Sequence, residues 1–168
     1  DTKVNIVYAS KGLAQRLQAE GARSPADVIL TVDIARLFVY ADKGLLAPVE
    51  SDVLSRNVPT HLRAKDNTWF AFSKRARVIA IAKRAKDTVS IKRYEDLVDP
   101  QWRGRICARP GSHVYNRALV ASMIHAESVD AAEQWARGIM ENLARRPQGN
   151  DRAQVKAIHE GVCDIAII

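Results

Sequence analysis

The chain has 168 residues, 47% hydrophobic and 27% charged, a composition typical of α/β proteins. Its net charge of +7 favours anionic partners but does not choose among phosphates, acidic surfaces and small anions. The longest apolar runs, such as residues 28–32, are far shorter than the roughly 20 residues that a membrane-spanning helix needs, so no such segment is predicted. Because residues 4–8 already follow a strand pattern, we expect no signal peptide within the chain.

Alternating strands and helices are predicted in the first part of the chain, at residues 4–8, 11–19, 28–32 and 34–43 in that order. The second strand is a continuous apolar run of the kind found in parallel sheets covered on both faces. The second helix has apolar residues at helical spacing, with Asp33 at the N-cap position and Gly44 where a helix ends. This order favours a parallel sheet with right-handed crossovers.

The middle of the chain, residues 45–67, is rich in loop signals such as Pro48 and Pro59, and two strands are predicted after it, at residues 69–72 and 77–82. From residue 94 a second α/β unit is predicted, consisting of a helical turn, a strand, three helices and a strand at residues 94–97, 105–108, 112–125, 130–143, 151–160 and 163–168. Because the last apolar strand pattern stops without an exit loop, we expect the chain to be truncated.

Basic residues are concentrated between positions 74 and 93, where eight of twenty residues are Lys or Arg and one, Asp87, is acidic. Such a run is compatible with a nucleic-acid-binding module. We prefer the interpretation that it forms solvated faces of strands and loops, because Val78 and Ile79 are typical of a strand core and no aromatic platform for bases accompanies the charges. Nucleic acid is therefore not an expected partner.

The stretch CARPGSHVYNRALV, residues 107–120, predicts a strand, a Pro-Gly turn and a helix. Ser112 is predicted to cap that helix, and the backbone amides at its start, including that of His113, suit an anion. Tyr115 follows in the first turn. Its ordinary interpretation is a packed aromatic, but a tyrosinate oxygen is also a hard donor that suits Fe(III). Because a phenol in water has a pKa near ~10, the metal must displace its proton, and binding is expected to depend on pH.

A second helix start is predicted at Asn150 or Asp151, either of which can be its N-cap. Capping is our preferred interpretation of this pattern and of Asp33. Helix starts at the carboxyl ends of neighbouring parallel strands also form the usual ligand crevice of an open α/β sheet. The two helix starts therefore predict a binding crevice.

The enzyme interpretation is weak. Gly-x-Ser-x-Gly, Walker and Gly-x-Gly-x-x-Gly motifs are absent. Cys107 lies within a predicted strand, so His113 would have to reach back past the Pro-Gly turn to activate it. The other histidines, His61, His125 and His159, lack metal-ligand spacing and are predicted to face solvent. The chain is therefore not predicted to be an enzyme.

The two cysteines, Cys107 and Cys163, each lie in an apolar segment of a predicted strand. Their spacing fits neither a zinc site nor a redox motif. The residues alone leave two interpretations open: buried free thiols, or a disulfide if the strands are neighbours, which would imply an oxidising compartment.

Several stretches, taken in order, resemble the periplasmic ferric-ion-binding proteins, which deliver Fe(III) to bacterial ABC importers. They are SPADVILTVD, GLLAPV, WFAFSKRARVI, YEDLVDPQWRG, GSHVYN, PQGND and GVCDIAI, at residues 24–33, 44–49, 69–79, 94–104, 111–116, 147–151 and 161–167. Each stretch is short, but together they extend over nearly the whole chain.

The resemblance implies a type II periplasmic binding protein: two parallel-sheet-based α/β lobes, joined by hinge strands, that close over a ligand. It places a partial N-terminal lobe, ending in hinge strands, at residues 1–76 and a partial C-terminal lobe at residues 77–168, incomplete at both termini. It also implies an extracytoplasmic, periplasmic solute-binding protein for iron transport. The expected partner is an ABC permease–ATPase complex in the inner membrane.

Carried over residue by residue, the resemblance implies Tyr115 and Asp33 as metal ligands. Arg75 and Arg77 lie in the segment that forms the hinge and cleft floor, where the resemblance makes them candidate anion-binding residues that would also offset tyrosinate charge. The implied cargo is Fe(III), accompanied by carbonate or another synergistic anion where one is used.

The same comparison implies that Ser112, His113 and Asn150 lie in the region that holds the partner anion. It also implies that Cys107 and Cys163 lie on neighbouring strands, which favours the disulfide. These assignments rest on the resemblance and not on the spacing of the residues.

The chain also departs from the family pattern, because the paired tyrosines and the N-terminal His or Tyr ligand have no counterpart in it. We therefore expect it to lack most iron ligands and to bind Fe(III) weakly, since one tyrosinate cannot fill an octahedral site. Two alternatives remain: a binding protein for another small ligand (an oxyanion, a polyamine or a thiamine-like molecule), with Tyr115 merely stacking, or an effector-sensing or nucleic-acid-binding module of related fold.

Overall fold

A computed structural model describes residues 3–9, 12–86 and 90–168. The chain divides into two compact units, Asp1–Lys74 and Arg75–Ile168. The predicted boundary follows residue 76 and the observed one follows residue 74; the assignment of the units as lobes stays a prediction. Lys11, the predicted start of the first helix, and Asp87, the acid in the basic run, lie outside the described residues. No helix within the described ranges has the length and apolarity that crossing a bilayer requires.

Unit 1 contains three α-helices among its described residues: α1 (Leu13–Glu20), α2 (Ile34–Asp42) and α3 (Asp52–Asn57). The prediction of α2 is confirmed, including its N-cap, because the Asp33 carboxylate accepts a hydrogen bond from the Ala35 amide at 2.8 Å. The loop prediction for residues 45–67 is wrong where α3 forms. Pro48 and Pro59 flank this short helix and do not interrupt it, and Ser51 caps it.

Three predicted strands of this unit are wrong as assigned, namely those at residues 4–8, 28–32 and 69–72. The first two have no regular secondary structure, and Val28 and Leu30 are 86% and 82% exposed. The third makes one isolated bridge, from Phe70 to Arg63. An apolar run becomes a strand only where a neighbouring segment pairs with its amides and carbonyls, and the described residues of unit 1 do not provide such a segment for the first two runs.

Unit 2 is built on a three-stranded sheet with the strand order β1-β3-β2, in which β1 is Ile79–Ile81, β2 is Ile106–Ala108 and β3 is Ile165–Ile167. The central strand β3 runs parallel to β2 and antiparallel to β1. The strands predicted in this unit are confirmed, although each is shorter than predicted. The parallel β2–β3 pair requires a long crossover connection, which the helices supply.

The crossover from β2 to β3 contains three helices: α4 (Val114–Ala126), α5 (Val129–Asn142) and α6 (Asp151–His159). All three were predicted, with bounds that differ by one or two residues. A 3-10 turn, Glu95–Val98, precedes β2, as the short helical turn was predicted to do. The side-chain amide of Asn142 stabilises the segment around that turn, because it donates hydrogen bonds to the carbonyls of Leu97 and Asp99 at 2.9 and 2.8 Å.

Apolar cores cover both faces of the sheet in unit 2. Ile106 and Ile165 contribute to the larger core, together with residues of α4 and α5. Cys107 and Ala166, the next residues along the two strands, contribute to a smaller cluster with Ala157 of α6. This division follows from the alternation of side chains along a strand. Unit 2 is therefore a layered α/β unit. The loop after β2 and the loop before α6 are the places where such a fold is expected to form a binding site.

Gly138 of α5 lies close to Val98, since a Cβ at position 138 would be 2.7 Å from the Val98 Cβ. We expect Gly138→Ala to lower the free energy of unfolding by about 1 kcal/mol, because overpacking costs roughly 1–3 kcal/mol while alanine recovers up to ~1 kcal/mol of helix propensity. Urea unfolding followed by circular dichroism measures the change. Gly111→Ala is the control, because its Cβ would meet nothing within 4 Å. Equal losses in both variants would contradict the steric explanation.

Candidate functional site

Tyr115 lies in the first turn of α4, and His113, not Ser112, is the N-cap of that helix. The His113 Nδ1 accepts a hydrogen bond from the Tyr115 amide at 3.2 Å. The prediction of Ser112 as the cap is wrong because the helix begins at Val114, which leaves Ser112 one residue too far from the first amides. The His113 amide, which was expected to suit an anion, instead donates a hydrogen bond to the Pro110 carbonyl at 3.0 Å.

The Tyr115 side chain is half-buried, and its hydroxyl is directed towards an exposed cation. The Arg75 Nη1 donates a hydrogen bond to the Tyr115 Oη at 3.1 Å. The guanidinium carbons of Arg77 and Arg109 lie 5.8 and 5.1 Å from the centroid of the Tyr115 ring, within cation–π range. Three guanidinium groups therefore lie around one phenol, whose oxygen would be a hard anionic ligand once a metal ion had displaced its proton.

The carboxylate of Asp151, the first residue of α6, bridges two of these arginines. Its Oδ1 lies 2.9 Å from the Arg77 Nη1 and its Oδ2 lies 2.9 Å from the Arg109 Nη1. The Arg77 Nη2 also donates to the Asn116 Oδ1 at 3.2 Å and to the Ile167 carbonyl at 2.9 Å. The carboxyl ends of β2 and β3, the start of α4 and the start of α6 are thereby held together.

Sequence reasoning missed Arg109 and gave Asp151 only a capping role. Both lie at positions where the predicted topology places polar groups together, since Arg109 follows β2 and Asp151 opens α6. An arginine directly after a buried strand and an aspartate at a helix start are the signals that could have found them. Neither signal says that the two side chains meet, because 42 residues of chain separate them.

Asn150 is the N-cap of α6, and its Oδ1 accepts a hydrogen bond from the Ala153 amide at 3.0 Å. Asp33 belongs to unit 1, where its carboxylate caps α2. His61, His125 and His159 are exposed, as predicted. Within residues 3–9, 12–86 and 90–168, no three His, Cys, Asp or Glu side chains are grouped so as to hold a metal ion.

Tyr94, the other tyrosine of unit 2, has a different role. Its hydroxyl donates to the Arg77 carbonyl, and burial raises the pKa of the Tyr94 phenol above its ordinary value. The protonated form is the one that this hydrogen bond requires. Tyr115, whose hydroxyl is held only by an exposed arginine among the contacts that the structure describes, is the better candidate for a metal ligand.

A disulfide joins Cys107 of β2 to Cys163, which precedes β3, with the two Cα atoms 5.9 Å apart. Both cysteines are almost fully buried. The bond encloses α4, α5 and α6, because 56 positions separate the two residues. It therefore ties the strand that leads to Arg109 to the segment that leads into the central strand.

The family model described as bacterial extracellular solute-binding protein matches residues 23–167. Among curated proteins, the chain is 45% identical over 166 residues to iron uptake protein A1 of Synechocystis sp., a match that covers 98% of this chain and 46% of that protein. It is 28% identical over 161 residues to the major ferric iron-binding protein of Neisseria gonorrhoeae, covering 93% of this chain and 47% of that protein. The chain spans about half the length of the curated relatives it matches.

Solved structures show the same similarity. The apo ferric ion-binding protein A of Pasteurella haemolytica superimposes with a TM-score of 0.91 at 42% identity, covering 98% of this chain and 52% of that one. A Trichodesmium protein, IdiA or FutA, solved in complex with iron and citrate ligands, superimposes with a TM-score of 0.84 at 43% identity, covering 93% of this chain and 49% of that one.

Proposed function

Because the chain belongs to the family of bacterial extracellular solute-binding proteins, we propose that it is part of a protein that captures Fe(III) and delivers it to an ABC importer. The predicted resemblance to ferric-ion-binding proteins is confirmed, and the fold is that of a type II periplasmic binding protein. The observation that supports the proposal is the half-buried Tyr115 of unit 2, whose hydroxyl accepts a hydrogen bond from the exposed Arg75.

In this proposal Tyr115 supplies a phenolate to the iron. Fe(III) is a hard cation, so an anionic oxygen is the protein ligand that it prefers. Binding releases the phenolic proton, and the positive charge of Arg75, which donates to the Tyr115 hydroxyl, offsets the negative charge that appears on the oxygen. Asp33 remains a proposed second ligand, carried only by the resemblance.

An anion that completes the iron shell is also part of the proposal. The Trichodesmium relative was solved with iron and citrate. In this chain, carbonate or a carboxylate such as citrate would meet Arg75, which is exposed and next to the Tyr115 hydroxyl. The proposed anion region of Ser112, His113 and Asn150 lies at the same two helix starts, although the side chains of His113 and Asn150 already cap them.

We further propose a periplasmic location, an inner-membrane permease–ATPase as partner, and no catalytic activity. The relatives are named as iron-uptake and iron-binding proteins, which supports transport over catalysis. Nucleic-acid binding is disfavoured because two arginines of the basic run are engaged internally: Arg77 pairs with Asp151, and Arg84 pairs with Asp164 at 2.9 Å. Phosphate contacts would have to compete with these ion pairs.

Titration of the purified chain with ferric citrate tests the proposal. The expected result is a visible tyrosinate-to-iron charge-transfer absorbance, with weak affinity because one phenolate leaves most of an octahedral shell to citrate and water. Parallel thermal-denaturation scans with spermidine, thiamine and phosphate test the alternative small ligands. Absence of the iron band, combined with stabilisation by one of these compounds, would replace iron with that ligand class.

A further inference from the structure

We propose that Asp151 is a built-in anion: its carboxylate occupies the place between Arg77 and Arg109 where a small oxyanion would otherwise bind. Asp151 is then a specificity-determining residue, because it closes this arginine pair to phosphate and carbonate from solution. The inference adds a specificity-determining residue to the proposed site. It rests on the proposed function only where it concerns iron binding. The anion chemistry itself can be tested without any metal.

The geometry of the bridge is that of a bound oxyanion. Each carboxylate oxygen of Asp151 takes one arginine, at 2.9 Å in both cases. Carbonate or phosphate placed between two guanidinium groups would make the same pair of charge-assisted hydrogen bonds. The carboxylate is therefore a chemical equivalent of the oxyanion.

The two arginines are buried enough to need a counter-charge. Their side chains are 12% exposed for Arg77 and 9% for Arg109, whereas that of Asp151 is 33% exposed. The Nε atoms of both arginines are buried and have no hydrogen-bond partner among the described residues. Without the Asp151 charge, two largely buried guanidinium groups would lose the carboxylate that they share, which is costly unless another anion enters.

Arg77 would keep its position after Asp151 lost its charge. Its Nη2 is held by the Asn116 side chain and by the Ile167 carbonyl, neither of which involves Asp151. Arg109 lies against the Tyr115 ring, which also stays in place. The start of α6 adds a favourable dipole for any negative charge that replaces the carboxylate. The pair would therefore be available to an anion and not rearranged away from it.

Asp164 provides a matched control, because its carboxylate also bridges two arginines. It lies 2.9 Å from the Arg84 Nη2 and 2.9 Å from the Arg105 Nε. These arginines are more exposed, at 46% and 32%, so water can solvate them when the carboxylate is neutralised. Asp164→Asn tests whether neutralising the bridging carboxylate creates an anion site at any arginine pair or only at the buried pair of Arg77 and Arg109.

The experiment measures binding of inorganic phosphate and of bicarbonate to the metal-free chain by calorimetry, at constant ionic strength in chloride. For Asp151→Asn we expect phosphate affinity at least ~10-fold higher than that of the unmodified chain, while Asp151→Glu and Asp164→Asn stay within ~3-fold of it. No gain in Asp151→Asn, or an equal gain in Asp164→Asn, would overturn the inference. So would phosphate binding by the unmodified chain as tight as that of Asp151→Asn.

If Asp151→Asn is unfolded in chloride, circular dichroism in phosphate at the same ionic strength takes over as the readout. Recovery of the folded spectrum supports the inference, and failure to recover overturns it. Repeating the ferric titration separates the two proposals. Iron binding that becomes phosphate-dependent in Asp151→Asn links the anion pair to the iron site, whereas loss of iron binding in every variant, with the phosphate result intact, removes only the iron proposal.

Discussion

Replacing Tyr115 with phenylalanine is expected to abolish the visible charge-transfer absorbance that ferric citrate produces in the unmodified chain. The substitution removes one oxygen atom and keeps the ring that lies beside Arg77 and Arg109. Apparent iron affinity should fall by more than the roughly 10–100-fold that the loss of an outer-shell partner costs, because a direct ligand is lost. Absorbance titration at fixed citrate measures both quantities.

Two other tyrosines serve as controls for this variant. Tyr8 is 88% exposed, so Tyr8→Phe tests whether any surface phenol gives the band. Tyr94 donates to the Arg77 carbonyl, and burial raises the pKa of its phenol, so Tyr94→Phe should weaken the fold without removing the band. A Tyr115→Phe protein that keeps the full band and affinity would remove Tyr115 from the iron site.

The same titration has an expected pH dependence. Coordination by a phenol releases a proton, so iron binding should weaken as the pH falls and protons compete with the metal. The dependence should be absent in Tyr115→Phe, if any residual binding remains. An unmodified chain whose iron affinity rises on acidification would contradict a phenolate ligand.

Removing the disulfide by the double substitution Cys107→Ala/Cys163→Ala should lower the free energy of unfolding of unit 2 by about 4 kcal/mol, the chain-entropy value for a loop of this length. The two half-cystines are almost completely buried in a small apolar cluster with Ala157 and Ala166, so lost packing adds to this cost. For a unit of this size the midpoint of thermal unfolding should fall by roughly 15–30 °C. Urea and thermal unfolding, followed by circular dichroism, measure the loss.

A thiol reductant gives the internal control for this experiment. The unmodified protein should lose most of this stability when it is unfolded and refolded in reductant, because its thiols keep the packing that alanine removes. The double variant should be indifferent to reductant. If oxidised protein, reduced protein and the double variant all unfold at the same urea concentration, the disulfide contributes nothing to stability and the prediction is wrong.

Local signals were sufficient where an element depends on its own residues. The helix α2 was predicted from apolar spacing and from Asp33, and the structure shows that N-cap. The alternation around β2, the three helices and β3 was also predicted, because helix caps and apolar runs are read within a few residues of chain. The same residues supported the family resemblance, which the comparisons confirm.

The sequence did not predict which distant segments of the chain pair with each other. The apolar runs at residues 4–8 and 28–32 have as much strand character as β3, yet only β3 lies between two other strands. His113, and not Ser112, is the N-cap of α4, because the exact first residue of a helix decides which side chain reaches its amides. A strand or cap is defined by hydrogen bonds, and the composition of a segment does not name its partner.

What the sequence by itself determined was the class of protein, the α/β order of unit 2 and the placement of Tyr115 in the first turn of a helix after a Pro-Gly turn. Only the tertiary structure decided that three arginines surround that phenol and that Asp151 neutralises two of them. The physical reason is that Arg77, Arg109 and Asp151 are far apart in the chain. They meet only because two strands and two helix starts converge at one edge of a sheet. Charges that converge in this way are set by packing, and no local pattern records them.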